Sequence, residues 1–336
     1  MKLFELLEQE YQILEVKNLE KLRNKTILIT GANGLVGSNL LNYLFWINHS
    51  LDLNLRLIGH SFSLPVSWIP EVEMLNGDLN QTDLTLKFDY LIHAATYGQP
   101  LKITNNPSSL IQLNTLTYLK LLELSLKNKA KVLFLSSSEV YGEIPLGTSA
   151  KESYNGNLNP FSHRALYAES KRLAESISSV YLDKGLEITI ARLSMSYGPG
   201  IKEDDQRFLG EFIRQALQKG SITMLDRGQA KRQMGFITDI IEMLLNCFLN
   251  GTSHLYNIAG KDIVSIAEIA TLILNIVGGM NTPNEGNQSV VKGTPMNVAI
   301  SIEKYLNEFS KDNFVPLKVG ILKTIQHQKI LKISKF

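Results

Sequence analysis

A chain of 336 residues is long enough to bury a full core and to divide into one large and one smaller lobe. The composition, 44% hydrophobic and 20% charged, is that of an ordinary globular protein, and a net charge of +2 indicates neither a nucleic-acid-binding surface nor an anionic-membrane surface. A single cysteine, Cys247, excludes an intramolecular disulfide and a thiolate metal cluster.

The amino-terminal segment, residues 1–24, has the apolar spacing of a helix, interrupted by Glu5, Glu8 and Glu10. A secretory signal needs an uninterrupted apolar centre, so this segment is not expected to be one. No apolar run in the sequence reaches the length that a membrane span requires. We therefore expect a cytoplasmic protein whose amino-terminal helical extension packs on the domain or on a partner subunit.

From residue 25 onward, short apolar runs alternate with longer amphipathic ones, which predicts a parallel sheet covered by helices on both faces. Strands that are continuously apolar, rather than alternating, fit burial on both sides. The predicted elements are strands at 26–30, 55–59, 90–95, 131–137 and 187–193, with helices after Gly34 and across 108–128 and 166–184.

Beyond Pro199 the spacing becomes irregular and predicts a smaller α/β lobe over the carboxyl ends of the strands, where ligands bind in such sheets. This divides the chain into a large domain at 25–198 and a mainly substrate-binding lobe at 199–336, from which 230–250 can return to the large domain. The elements predicted in the smaller lobe are helices at 207–219, 239–249 and 265–277, short strands near 222–225 and 255–258, and a loop at 278–294.

Three glycines, Gly31, Gly34 and Gly37, lie between the first predicted strand and the first predicted helix, in "TILITGANGLVG". In a dinucleotide-binding loop the first glycine permits a tight turn, the second lets the backbone approach a diphosphate, and the third lets helix and strand pack closely. The diphosphate then lies at the positive helix N-terminus. We therefore predict a Rossmann-type, doubly wound NAD(P)-binding domain. The other loop residues predicted to contact the cofactor are Asn33, Leu35 and Val36.

The glycine spacing, G-x-x-G-x-x-G, resembles the extended branch of the short-chain dehydrogenase/reductase superfamily. The dipeptide Asp78-Leu79 in "NGDLNQTD" is similar to the pair that cradles the adenine in that superfamily, and "HAAT" at 93–96 is similar to the loop under the cofactor. The resemblance implies cofactor contacts from Asp78 and Leu79 and a structural role for His93. It also implies cofactor contacts from Ala94, Ala95 and Thr96.

The second predicted strand ends in "LIGHSFS", without the acidic residue that usually binds the ribose 2′-hydroxyl and selects NAD. Gly59 or His60 stands in that place, and no arginine is there to bind a 2′-phosphate. The choice between NAD and NADP is therefore open, with His60 as a candidate contact.

Tyr167 and Lys171 in "YAESKRLAE" are four residues apart and lie on one face of a predicted helix. A tyrosine with a reference pKa of about 10 is a poor base at neutral pH. A nearby lysine and a positively charged nicotinamide are expected to favour the phenolate, which can take the proton from a substrate hydroxyl as hydride leaves carbon. The resemblance implies that Ser137, at the end of the preceding strand, assists Tyr167 and that Asn114 supports Lys171.

Motifs from "SSSEVYG" to "YNIAG" follow the order seen in NAD-dependent nucleotide-sugar epimerase/dehydratases, across about residues 25–330. The sequence most resembles the UDP-glucuronate decarboxylases (UDP-xylose synthases), followed by the dTDP-glucose 4,6-dehydratases. This resemblance implies an enzyme that uses NAD to oxidise C4 of a nucleotide-diphosphate sugar transiently. It also implies a homodimer formed by the helices at about 108–128 and 166–184. No residue cluster in the sequence has metal-ligand spacing, so no metal is expected.

The residues after Ser137 divide the chemistry of this group. The 4,6-dehydratases have "TDE" at the positions of residues 137–139, where the Asp protonates the departing C6 hydroxyl and the Glu removes the C5 proton. Here Ser138 stands in the Asp position, and its hydroxyl is too weak an acid for that task. The resemblance then implies a decarboxylase-like reaction in which Glu139 positions substrate or delivers a proton; the alternative is a carboxylate that caps the following turn.

Two arginines match family positions near the sugar. Arg232 in "AKRQMGFITD" resembles the decarboxylase arginine at the sugar end of the site, and a guanidinium suits a carboxylate or diphosphate oxygen. Arg164, three residues before Tyr167, also matches a family position, with a surface salt bridge as an equal interpretation.

Met195 and Gly200 stand where the decarboxylases have an asparagine and an arginine that face the nucleotide sugar. These departures leave a 4,6-dehydratase, a 4-epimerase and an NADP-dependent 4-keto-sugar reductase as alternatives. A non-catalytic dinucleotide-binding protein is disfavoured, because it has no need of Ser137, Tyr167 and Lys171 together.

Overall fold

The computed structural model describes residues 3–63, 69, 71–82, 84–162, 165–279, 282–286 and 295–333. The strands, in chain order, are β1 (Thr26–Thr30), β2 (Arg56–Ser61), β3 (Glu73–Asn76), β4 (Tyr90–His93), β5 (Lys131–Ser137), β6 (Ile188–Leu193), β7 (Met195–Tyr197), β8 (Lys231–Phe236), β9 (Leu255–Ile258), β10 (Asp262–Ser265) and β11 (Asn297–Val298). The helices are α1 (Leu3–Gln12), α2 (Leu35–Ser50), α3 (Pro100–Asn105), α4 (Pro107–Gln112), α5 (Tyr118–Asn128), α6 (Ala165–Asp183), α7 (Phe208–Lys219), α8 (Ile237–Asn250), α9 (Ile266–Val277), α10 (Glu303–Phe309) and α11 (Leu317–Ile333). Short 3₁₀ turns span Leu19–Leu22 and Ser138–Tyr141, and a π-helical turn spans Leu113–Thr117.

The large sheet has seven parallel strands within the described residues, in the order β3-β2-β1-β4-β5-β6-β9. The central strands are buried along almost their whole length, which accounts for their continuous apolar sequences. The strand order reverses between β1 and β4, and ligands of such sheets bind beyond the carboxyl ends at that point. The predicted doubly wound fold is confirmed, and the loops after β1, β2, β4 and β5 lie at its ligand-binding edge.

Several elements differ from those predicted. The strand β2 runs on to Ser61, and β3 was missed because it is short and half-exposed at the sheet edge, where no apolar run is needed. The strand predicted near 255–258 is β9, which joins the large sheet beside β6. The strand predicted near 222–225 is absent from the described residues, where Thr223 forms only an isolated bridge with Asn284.

A smaller sheet is built on β8, which pairs with β7 and β11 in parallel and with β10 antiparallel. The following helix α8 is buried on nearly every side and packs against α2, β6 and β9 of the large sheet. In the segment 230–250, strand β8 therefore belongs to the small sheet, whereas helix α8 packs against the large sheet.

The amino-terminal segment is fastened to the large domain. Tyr11 of α1 is buried and packs edge-on against Tyr43 of α2. Downstream, the Asn246 side chain of α8 donates to Glu15 O at 2.9 Å and accepts from Lys17 N at 2.9 Å. Among the described helices, none is both long and apolar enough to cross a membrane.

Candidate active site

The loop after β1 has the geometry of a phosphate cradle. Gly31 has φ of +73°, and a Cβ there would lie 2.7 Å from the Ala94 carbonyl carbon. A Cβ at Gly37 would lie 2.2 Å from Gly31 O, so helix and strand approach as closely as predicted. Gly34 is the N-cap of α2 and offers no side chain to its first N–H groups, which suits a diphosphate. The residues present therefore fit a dinucleotide; Leu35 and Val36 begin the helix.

The loops after β3 and β4 lie at the same edge. The Asp78 carboxylate accepts from Asn80 N at 3.0 Å, and the next residue, Leu79, is buried. Thr96 follows β4 and donates to Asn114 Oδ1 at 3.0 Å. The structure thus brings the predicted adenine and cofactor-loop residues to the edge that carries the glycine loop. Ala94 and Ala95 lie between β4 and Thr96.

His93 is fully buried beneath this edge. Its Nδ1 lies 2.7 Å from Thr30 Oγ1, and its ring stacks with Tyr118 and Phe134 at centroid distances of 5.1 and 5.9 Å. Burial lowers the pKa of His93 well below its usual value, and the charge of Lys171 acts in the same direction. A neutral, stacked imidazole is what a structural histidine requires.

The carboxyl end of β5 meets the first turn of α6. The Ser137 side chain accepts from Glu139 N at 3.2 Å and lies close enough to Tyr167 to lower the pKa of its phenol. Burial raises the pKa of Tyr167 above its usual value, and the negative charge of Glu139 raises it further. The Ser137 side chain and the positive charge of Arg207 lower it. One cluster therefore joins Ser137 and Glu139, at the end of β5, to Tyr167 on α6. Arg207 lies close enough to act on Tyr167.

Lys171 lies one turn below Tyr167 and is almost wholly buried. Its Nζ donates to Leu135 O at 2.8 Å and lies 4.7 Å from the centroid of the Phe134 ring. Burial lowers the pKa of Lys171 to about 7, with Glu175 acting in the opposite direction. The groups that lower the pKa of Tyr167 in this arrangement are Ser137 and Arg207, and the effect predicted for Lys171 stays a prediction.

Ser136 faces the opposite side of β5 from Ser137. Its Oγ donates to Glu175 Oε1 at 2.5 Å, and Glu175 forms a two-pronged ion pair with Arg192 at 2.6 Å. The Arg192 guanidinium lies 4.6 Å from the centroid of the Tyr141 ring. Ser136 therefore ties β5 to α6, whereas the side chain that caps the turn after β5 is that of Ser137.

Asn114 lies in the π-helical turn between α4 and α5, a feature that recurs at functional sites. Its Nδ2 donates to Ser170 Oγ at 2.9 Å, and Ser170 Oγ donates to Tyr167 O at 2.8 Å. Asn114 thus connects Thr96 of the cofactor loop to the turn of α6 that carries Tyr167 and Lys171.

Arg207 was not predicted as a site residue from the sequence. This residue is the N-cap of α7, and its guanidinium forms an ion pair with Asp205 at 2.6 Å. It lines a small cleft together with Met195 and Asp205. Nothing in "EDDQRFL" signals such a role, because Arg207 comes near Tyr167 only when the chain after β7 folds back over the sheet.

The remaining predicted substrate residues are more dispersed. Ser138 is buried in the turn after β5. Arg232 lies on β8, and its Nη1 donates to Lys231 O and Pro295 O at 2.7 and 3.0 Å. Met195 pairs with Met234 between β7 and β8. Arg164 lies outside the described residues.

Residues 27–259 match the model of the NAD dependent epimerase/dehydratase family. The chain belongs to this family. Curated relatives in the NAD dependent epimerase/dehydratase family include UDP-glucuronic acid decarboxylase 1 of Xenopus tropicalis, 30% identical over 315 residues, which are 93% of this chain and 74% of the relative. UDP-glucuronic acid decarboxylase 6 of Arabidopsis thaliana is 31% identical over 267 residues, 76% of this chain and 75% of that protein.

Solved structures show the same fold. UDP-glucuronic acid 4-epimerase from Bacillus cereus, in complex with UDP-glucuronic acid and NAD, superposes with a TM-score of 0.77 at 25% identity, covering 91% of this chain and 99% of that one. The dTDP-glucose 4,6-dehydratase DesIV from Streptomyces venezuelae superposes with a TM-score of 0.79 at 20% identity, covering 92% and 98%, which is a likeness of fold alone.

Proposed function

We propose that this protein is an NAD-dependent nucleotide-sugar enzyme that oxidises C4 of the sugar transiently and decarboxylates UDP-glucuronic acid or a closely related nucleotide hexuronic acid. The observation that carries the proposal is the cluster at the end of β5, where Ser137 and Glu139 lie close enough to Tyr167 to shift its pKa, and Ser138 stands where a dehydration acid is needed. The curated decarboxylases, similar along most of the chain, support it.

The cofactor is held by the glycine loop and by the loops after β3 and β4. When bound there, NAD supplies the hydride acceptor for C4. Tyr167 takes the proton of the C4 hydroxyl, and the Ser137 hydroxyl hydrogen-bonds the same oxygen and orients it. The positive charge of Arg207 stabilises the phenolate form of Tyr167, against the burial that opposes it.

The second half of the reaction follows from the C4 ketone. In a hexuronic acid this ketone is placed β to the carboxylate at C6, so the bond to that carboxylate breaks with loss of carbon dioxide and the electrons pass to the ketone oxygen. Glu139 positions the ring or delivers the proton that C5 then requires, which re-forms the C4 ketone. That ketone takes back the hydride at C4 while Tyr167 returns its proton to the C4 oxygen, and the product is a UDP-pentose. Elimination of a C6 hydroxyl would require an acid at residue 138, and a serine hydroxyl is too weak for it.

Purified protein incubated with UDP-glucuronic acid is expected to release carbon dioxide and a UDP-pentose, both read by mass spectrometry. The matched controls are dTDP-glucose and CDP-glucose, which lack the C6 carboxylate. A 4-keto-6-deoxy product from either control, with no change to UDP-glucuronic acid, would show that the argument from Ser138 is wrong. A C4 epimer of UDP-glucuronic acid with no loss of carbon dioxide would favour the 4-epimerase.

Glu139→Gln separates the two halves of the reaction. Because the charge of Glu139 raises the pKa of Tyr167, its removal lowers that pKa, and the rise of the oxidation rate with pH is expected to shift to lower pH. Loss of the carboxylate is expected to slow pentose formation by about 10²-fold or more. Stopped-flow absorbance of reduced nicotinamide measures the first effect, and product analysis the second. An unchanged pH dependence of the oxidation rate would show that the charge of Glu139 does not act on Tyr167.

We further propose that the active protein is a homodimer. Exposed apolar side chains project from the α4–α5 segment and from α6, which pack together: Ile111, Leu116, Leu119, Leu173 and Val180. Such a face is covered when a second copy adds its own pair of helices. Sedimentation is expected to give a dimer for the wild type and a monomer for Leu116→Asp, with Leu146→Asp, an exposed apolar site elsewhere, as the control. A monomeric wild type would overturn this proposal.

A further inference from the structure

The end of β2 lies directly against the glycine loop. Ala32 N donates to His60 O at 3.0 Å, which brings the two chain segments into contact. A Cβ built at Gly59 would lie 3.0 Å from Ala32 Cβ, so a side chain at residue 59 would project toward the loop. It would also lie 2.5 Å from Met74 Sδ. The space that an acidic side chain from residue 59 would enter is therefore filled by the Met74 sulfur.

The His60 side chain faces the other way. Residues along a strand alternate between the faces of a sheet, so His60 shares the face of Ile58, which packs in the apolar cluster with Leu28 and Tyr118. His60 is 2% exposed, and burial lowers its pKa, so the imidazole is neutral near pH 7. This histidine, predicted as a cofactor contact, is thus turned into the core and supplies no charge at the loop.

The side chains of the glycine loop and of the end of β2 are neutral, and the nearby carboxylate of Asp78 comes from the loop after β3. Asn33 Nδ2 in the glycine loop donates to Ser63 Oγ at 3.0 Å, and Ser61 Oγ donates to Ser63 O. The sequence from Leu57 to Pro70 contains no Asp, Glu, Lys or Arg. An acidic residue in this place selects NAD by hydrogen-bonding the ribose 2′-hydroxyl, and its charge repels the 2′-phosphate of NADP. Both effects are missing from residues 57–63 of this chain.

We propose that the adenosine end of the cofactor site tolerates a 2′-phosphate, so that the protein binds NADP nearly as well as NAD, with Gly59 and Met74 as the residues that determine this. The inference rests on the proposed function for the location of the cofactor. It adds that the specificity for the dinucleotide is decided at the contact between β2, β3 and the glycine loop.

Calorimetric titration of the full chain with NAD and, separately, with NADP tests the proposal without any turnover. The Kd for NADP is expected to be no more than about tenfold that for NAD. A larger preference for NAD would overturn this proposal and leave the proposed reaction standing. Failure of both nucleotides to bind would overturn both.

Gly59→Asp and Gly59→Asn form a matched pair, because both side chains displace the Met74 sulfur and only one carries a charge. Gly59→Asp is expected to raise the Kd ratio of NADP to NAD by about tenfold or more, whereas Gly59→Asn leaves that ratio near the wild-type value. Ser63→Asp puts the same charge at an exposed position that no core packing occupies, and it is expected to act in the same direction. If neither carboxylate changes the ratio, this edge does not determine the specificity and the proposal is wrong.

Discussion

The carboxyl ends of β5 and β2 lie on one edge of the same parallel sheet, but they differ in what they offer a ligand. The end of β5 places Ser137 and Glu139 beside Tyr167. The end of β2 has Gly59 where an acid is usual, with Met74 packed over it. The end of β5 therefore offers a ligand a hydroxyl and a carboxylate, whereas the end of β2 offers it no charged side chain.

The two ends are also supported differently. Glu175 and Arg192 form an ion pair that is 12% and 13% exposed, and Ser136 on β5 donates to it. Between β2 and β3 the corresponding pair is Arg56 with Glu73, 55% and 42% exposed. Solvent screens the second pair but not the first, so we expect the β5 end to be held more rigidly.

The largest expected effect comes from breaking the β5 end itself. Tyr167→Phe removes the base and is expected to lower the rate of C4 oxidation by about 10²–10⁴-fold. Single-turnover absorbance of reduced nicotinamide measures it. The control is the calorimetric NAD affinity, which shows whether the variant still loads its cofactor. Full activity in a Tyr167→Phe variant that still binds NAD would show that Tyr167 is not the base.

A second test compares the supporting ion pairs. Glu175→Gln leaves Arg192 charged and poorly solvated, and is expected to lower the free energy of unfolding by about 3–5 kcal/mol. Glu73→Gln, the matched change at the exposed pair, is expected to cost about 0–1 kcal/mol. Urea denaturation followed by circular dichroism gives both values. Equal losses would contradict the difference in support that we infer.

The smallest effects are changes of stability with pH at two buried bases. The pKa of Lys171 is about 7 against an ordinary value of 10.5, so above pH 7 the unfolded chain holds more protons than the folded one. Relative to Lys171→Met, the wild type is expected to gain roughly 1–3 kcal/mol between about pH 7 and pH 9.

The pKa of His60 is also lowered, from 6.5, so the same reasoning applies in a more acidic window. Relative to His60→Gln, the wild type is expected to gain stability as the pH rises toward 6.5 and to gain no more above it. Urea midpoints measured across the pH range give both curves. If a variant's stability changes with pH in the same way as that of the wild type, the base it lacks does not have the lowered pKa from which the gain was predicted.

Local patterns were enough for the framework of the site. The strands β1 and β5 were predicted with their observed bounds, because a continuously apolar run between polar turns is a signal carried by neighbouring residues. The glycine loop and the helical spacing of Tyr167 and Lys171 are signals of the same kind. The edge strand β3 gave none, because a short, half-exposed strand needs no apolar pattern.

By itself the sequence therefore determined the fold class and the position of the glycine loop, and it predicted Ser137, Tyr167 and Lys171 as the reacting groups. Only the tertiary structure decided that Arg207 acts on Tyr167, that Ser136 ties β5 to Glu175, and that Met74 fills the space beside Gly59. The physical reason is the separation along the chain of the residues that interact. Turns, helix faces and strands depend on residues a few positions apart, whereas charge, burial and packing at the site depend on side chains brought together from distant parts of the chain.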